Sequence, residues 1–296
     1  MKSYLKLYYL AYFILPFGFT ACNNDSDNPE PFDDEGAIQA FLTVNNIAAT
    51  KSDEWDVYYI ELEAGTGDEV ELNSIVDIDY ELSLANENNT ALFSDSNYAF
   101  VPEVRSIMEG VARGALTMKE GGKSYFVIPS AYAYGPSSGE LPNGAFVPAN
   151  AIIQANITVN EIRTAGEQQV WEEIRIEEYL AQEQLDSNAF FLTEGVFKAV
   201  ITEGDIDSSN PIEGNNVTIS YQGSLLDGTI FDESSNAQFN LTPGSLIDGF
   251  YNSVLSMKRN EEAIFVMTSD QAYGDAGTSG IAPFSSLIFR IRLIDY

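Results

Sequence analysis

The hydrophobic pattern of the chain changes period several times. Val217, Ile219 and Tyr221 alternate with polar residues, which predicts a strand with one buried face. Ala263 to Thr268 and Leu287 to Leu293 read as further strands. Asp227-Gly228 within Leu226–Thr229 predicts a hairpin, because glycine supplies the positive φ of a tight turn. Leu246 to Met257 reads as a short helix. Many antiparallel strands around one helix predict an α+β fold. Residues 171–185 form helix-favouring sequence, with Trp171, Ile174, Tyr179, Leu180 and Leu185 as expected packing positions.

The same grammar occurs earlier in the chain. Ile38 matches Ile176, Leu42 matches Leu180, Tyr80 matches Tyr221, Phe93 matches Phe231, and Met118 matches Met257. Ala133-Tyr134-Gly135 matches Ala272-Tyr273-Gly274. An offset of about 140 residues is far longer than a solenoid unit, so it marks duplication of a whole domain. The expected layout has a leader over 1–22, a tether over 23–36 and a first domain over 37–163. A linker helix follows within 164–189, and a second domain over 190–296.

The leader is a distinct pattern. Lys2 and Lys6 precede an almost unbroken apolar run from Leu7 to Ala21. That run is short of the ~20 apolar residues of a membrane span and fits a secretory signal. It ends at Phe19-Thr20-Ala21-Cys22, which resembles a bacterial lipobox, although Phe19 stands where leucine is usual. The resemblance implies a lipid anchor on Cys22, holding through burial of methylenes at ~0.8 kcal/mol each. Residues 23–36 (NNDSDNPEPFDDEG) read as a flexible acidic tether. Acidic residues directly after the cysteine also resemble a surface-export signal of Bacteroidetes-type lipoproteins.

Composition narrows the chemistry. The 296 residues contain no histidine and one cysteine. Histidine-based catalytic dyads, histidine-ligated zinc and an internal disulfide are therefore excluded. With 14 basic and 45 acidic side chains, the formal net charge is −31, which argues against nucleic acid as a partner. No regularly spaced calcium loop is visible, and no metal or cofactor is expected.

The second copy resembles FKBP-type peptidyl-prolyl isomerases. The blocks that carry the likeness are YQGSLLDGTIFDESS (221–235), FNLTPGSLIDGF (239–250), AYG (272–274) and IAPFSSLIFRIRL (281–293). The resemblance implies two tandem FKBP-like domains, each an antiparallel sheet wrapped on a short helix. It implies a shallow apolar bowl formed by Phe231, Phe239, Leu246, Ile247, Phe250, Ile281 and Phe289. It implies catalytic roles for Asp232, Tyr273 and Tyr221. Phe250 replaces the tryptophan usual at the floor of the bowl. The chemistry suits the composition, since the barrier of ~18–20 kcal/mol comes from amide resonance and needs no nucleophile to lower it.

In the first copy Tyr80, Phe93, Ile107, Met108, Tyr134 and Val147 fall at the pocket positions. Ser94 stands where the aspartate is expected, with Asp95 adjacent. Val111 replaces the floor aromatic, and Ala155 occupies the position of Phe289. A weak or inactive pocket is expected there. The expected function is prolyl isomerisation of proline-containing segments in exported proteins, at a bacterial envelope. Attachment is expected through the lipid anchor, at the outer membrane, on its periplasmic or surface side. The alternative is a non-catalytic peptide-binding chaperone or a lipoprotein of an envelope machine.

Overall fold

The computed structural model describes residues 32–86, 89–104, 107–185 and 189–296. The leader, Cys22 and residues 23–31 of the tether lie outside them.

Copy one opens with α1 (Asp34–Val44), then β1 (Thr50–Lys51), β2 (Tyr58–Glu63), β3 (Ile75–Leu84) and β4 (Ala91–Phe100). It continues with α2 (Glu109–Ala115), β5 (Lys123–Ile128), the small ribbon β6 (Gly139–Glu140) with β7 (Phe146–Val147), and β8 (Ile153–Arg163). Copy two runs through α3 (Ala165–Gln182), β9 (Ala189–Thr193), β10 (Val196–Thr202), β11 (Asn216–Leu225) and β12 (Ile230–Asn240). It closes with α4 (Asp248–Leu255), β13 (Glu262–Met267) and β14 (Leu287–Asp295).

Each copy builds one six-stranded antiparallel sheet. The orders β1-β2-β5-β8-β3-β4 and β9-β10-β13-β14-β11-β12 are the same topology. The duplication therefore reaches the connectivity.

Both faces of each sheet are covered, which explains why its central strands read as nearly continuous apolar runs. Successive side chains of a strand point to opposite faces. Phe265 and Phe289 accordingly face α4 with Phe250, Val254 and Met257, while Val266 and Ile288 face α3 with Ile176 and Leu180. Copy one repeats the sandwich, with Phe126 in the main core and Val127 packed on Ile38 and Leu42 of α1.

The helix boundaries differ from expectation at two places. Asp33 is not part of a tether. It caps α1 by accepting from the Gly36 amide at 2.9 Å, and Asp34 and Glu35 occupy the first turn. Acidic residues there satisfy free amides and oppose the positive helix end, so the sequence DDEG begins the domain. Likewise α3 starts six residues before Trp171, behind a reciprocal capping box of Thr164 and Glu167. Its buried face is Gln168, Glu172, Ile176 and Leu180. Ile174, expected to pack, is 50% exposed. The inward stripe follows i, i+4 spacing from Gln168, and Ile174 falls on the opposite side. Because α3 covers the sheet of copy two, it belongs to that domain rather than to a linker.

Candidate functional site

The bowl of copy two is built from the concave face of its sheet and α4. Tyr221 sits where the β11–β12 register shifts between Ile219 and Tyr221, and Tyr80 sits at the corresponding shift between Ile78 and Tyr80. A bulge re-aims a side chain and sharpens local twist, which fits a tyrosine turned into a site.

Phe250 is buried on α4 and lies 4.9 Å from Phe289, 5.6 Å from Tyr221 and 5.9 Å from Phe239, ring centre to ring centre. Phe231 meets Phe289 edge to face at 5.6 Å. Such tilted and edge-on pairs are the favoured aromatic geometry. Leu246 and Ile247 pack partly buried against the same cluster, and Ile281 is buried within it. Ile247 is the N-cap residue of α4 and gives it no side-chain cap. An apolar residue stands there because its side chain is used against the aromatics.

Polar groups are few. The Tyr221 hydroxyl donates to the Asp232 carboxylate at 2.6 Å. Burial, reinforced by that bond, pushes the Tyr221 hydroxyl up to about 12, so it stays protonated at neutral pH. Tyr273 is 38% exposed. Among the described residues its hydroxyl makes no hydrogen bond, which leaves it open to an incoming carbonyl. Nine of the ten residues expected in this site are joined by packing or by the Tyr221–Asp232 bond, with Ile281 buried; Tyr273 is exposed and reaches the group electrostatically through Tyr221.

Glycine at 223 is a space requirement. It pairs with Phe289 across β11 and β14. A Cβ there would stand 2.7 Å from the Phe231 ring and 2.8 Å from the Phe289 ring. In copy one the corresponding pair is Leu82 with Ala155. Large and small have exchanged strands, and the buried Leu82 fills room that Phe289 takes in copy two. Leu82 thus returns part of the apolar volume that Ala155 gives up in copy one.

Copy one has a cavity of about 820 Å³. Tyr80, Phe93, Ile107, Met108 and Tyr134 border it as expected, joined by Leu82, Asp95, Tyr98, Leu141 and Pro142. Val147 does not border it, because this residue of the β6–β7 ribbon is fully buried in the core. Tyr98 and Leu141 escaped sequence reasoning. Tyr98 stands opposite Ile78 as Ala237 stands opposite Ile219, a register that only strand pairing reveals. Its ring lies 5.7 Å from that of Tyr80. Residues of copy two between Ala276 and Pro283 also border the cavity.

Two polar groups of the copy-one pocket bond within their own domain. Tyr134, the counterpart of Tyr273, donates its hydroxyl to the Glu140 carbonyl at 2.9 Å. Asp95 accepts from the Ser96 amide at 2.9 Å. Among the described residues no group of three or more Asp, Glu, His or Cys side chains is placed to hold a metal ion.

The FKBP-type peptidyl-prolyl cis-trans isomerase family matches twice, over residues 67–160 and 207–294. The chain belongs to that family of enzymes, with two copies of its domain. FK506-binding protein 1 of Dictyostelium discoideum is 35% identical over 107 residues, covering 34% of this chain and 98% of that protein. Peptidyl-prolyl cis-trans isomerase FKBP4 of Mus musculus is 34% identical over 108 residues, which are 35% of this chain but 23% of that longer protein. A solved peptidyl-prolyl cis-trans isomerase from Pseudomonas syringae pv. tomato is similar at 30% identity and a TM-score of 0.38, covering 45% of this chain and 95% of the other.

Proposed function

We propose that copy two carries the peptidyl-prolyl isomerase activity of this chain, and that its clients are proline-containing segments of exported proteins. The observation that carries this reading is the contrast between the two tyrosines. Tyr273 has an exposed, unbonded hydroxyl beside a five-ring bowl, whereas the Tyr134 hydroxyl is occupied by a backbone carbonyl of its own domain.

The mechanism follows from the site. A planar X-Pro amide is polar and its rotation is opposed by resonance. The twisted transition state is less polar, so an aromatic bowl that excludes water favours it over the ground state. Phe250 and Phe289 form the floor under the proline ring. Phe231 and Phe239 wall it. Tyr273 donates to the substrate carbonyl, and Asp232 fixes Tyr221 so that its ring and hydroxyl keep one orientation. No proton is transferred and no bond to the enzyme forms.

A second reading applies to copy one. Its cavity, whose Tyr134 hydroxyl is already bonded to a carbonyl, suits it to hold a peptide without turning it over. The cellular setting extends the proposal: a lipid anchor on Cys22 would tether the protein to a bacterial envelope, and its acidity would keep it soluble beside anionic headgroups. Exchange spectroscopy of a proline peptide with the full chain tests the catalytic reading. Tyr273→Phe is expected to slow isomerisation by about tenfold, the worth of one hydrogen bond in a transition state. An unchanged rate would overturn the role. Labelled fatty acid in cells is expected at Cys22 and absent from Cys22→Ser; equal labelling would refute the anchor.

A further inference from the structure

One buried carboxylate is used by neither bowl. Glu172 on α3 is 2% exposed, and α3 lies outside both segments that match the family. The Glu172 carboxylate accepts from the Ser269 amide at 2.6 Å, the Ser269 hydroxyl at 2.7 Å and the Ser286 hydroxyl at 3.3 Å. Gln168, one turn earlier, donates to it at 2.8 Å. A carboxylate taken this far out of water is tolerated only when its oxygens are filled with donors, as they are here.

The two serines are the ends of the segment that carries Tyr273 and Ile281. The Ser269 carbonyl takes the amides of Ala272 and Gly274, at 2.9 and 2.8 Å, and so brackets Tyr273. The Gly274 carbonyl takes the Phe284 amide at 2.9 Å, closing the segment across its middle. Ser286 leads into β14 and Phe289. Both ends of the loop are therefore tied to one side chain of a helix on the far face of the sheet.

One end of the device recurs in copy one. On α1 of copy one, Asp34 accepts from the Ser130 and Ala131 amides at 3.0 and 3.1 Å, directly before Ala133-Tyr134-Gly135. Copy two differs in what stands behind the anchor. Gln168 also accepts from Arg163 at 2.7 Å, and Arg163 is the last residue of β8 and pairs with Asp77 of β3. A buried polar chain thus runs from the sheet of copy one, through α3, to the tyrosine loop of copy two.

We propose that Glu172 is a positioning residue for isomerisation, holding the Tyr273 loop by both ends. This rests on copy two being the active copy. Its active unit then begins at Thr164, and residues 190–296 alone lack the anchor.

The test uses the full chain, with prolyl-peptide kinetics and amide hydrogen exchange read on the same variants. Glu172→Ala is expected to lower kcat by about tenfold while KM stays within about twofold, because the loop is misplaced rather than the bowl emptied. Exchange at Ala272 and Gly274 should accelerate while Phe265 and Phe289 keep wild-type protection. Glu172→Gln, which keeps an acceptor for the Ser269 amide, should recover part of the loss. Ser286→Ala, which leaves α3 packing intact, should shift both readouts in the same direction by less. A wild-type kcat in Glu172→Ala, or accelerated exchange spread evenly over β13 and β14, would overturn the proposal. If Asp232→Ala leaves turnover untouched, the active copy is misassigned. In that case unchanged exchange at Ala272 and Gly274 in Glu172→Ala still refutes the anchor on its own.

Discussion

The two copies share strand order, bulge position and helix placement, yet they spend their polar groups differently. In copy two Tyr221 and Asp232 hold each other and Tyr273 stays open; in copy one Tyr134 donates to a backbone carbonyl and Asp95 accepts from a backbone amide of its own domain. The apolar lining also differs in a compensated way, with Gly223 and Phe289 traded for Leu82 and Ala155. Duplication preserved the frame because the frame is core, whereas the lining could drift wherever volume was conserved. The two pockets thus differ by a few hydrogen bonds and two ring positions, and the proposed assignment of turnover to copy two rests on that difference.

The comparison can be broken first at the floor. Phe250→Ala removes a ring that is 4% exposed and touches three others, and should cost about 3–5 kcal/mol. Hydrogen exchange should show the loss in β13 and β14 and spare β5 and β8. Equal loosening of both sheets would mean that the copies do not have separate cores.

The exchanged pair offers a sharper test. Ala155→Phe alone should overpack the space that Leu82 fills and destabilise copy one by about 1–3 kcal/mol. Adding Leu82→Gly should return much of that loss, giving a coupling of about 1–3 kcal/mol in a double-mutant cycle measured by denaturant unfolding. Additive effects would show that the two positions do not share one volume.

The smallest expected effect is a pH dependence confined to copy one. Glu35 on α1 is held from an ordinary 4.5 down to about 2, first by the Tyr58 hydroxyl and then by the Lys51 ammonium. A lowered carboxylate favours the folded state above its unfolded value and loses that favour as pH falls through the folded one. Copy one should therefore lose a little stability between about pH 4.5 and about pH 2, and Glu35→Gln should flatten that slope. Acid titrations of the wild type and Glu35→Gln by circular dichroism would check it; identical slopes would contradict it.

Much of this was legible in the sequence. Alternation at Val217, Ile219 and Tyr221 and the repeated Ala-Tyr-Gly located the sheet and the tyrosine loop, because strand period and turn chemistry are local. The bowl residues of copy two were legible through ordered blocks rather than through any single aromatic. Tyr98 and Leu141 were not, since which residue faces a cavity depends on strand register and a ribbon fold. Glu172 was hidden for another reason: a glutamate in WEEIRIEEYL looks like solvated helix surface, and only the docking of α3 turns it inward. The cap at Asp33 was not legible either, because an acidic cap and an acidic tether have the same composition.

The central claim is that turnover belongs to copy two. Prolyl-peptide isomerisation by the full chain, compared between Asp232→Ala and Asp95→Ala, tests it most directly. Asp232→Ala is expected to lower kcat/KM by about tenfold or more, the worth of a hydrogen bond to a charged group, while Asp95→Ala leaves it unchanged. A loss in Asp95→Ala with a wild-type rate in Asp232→Ala would contradict the account.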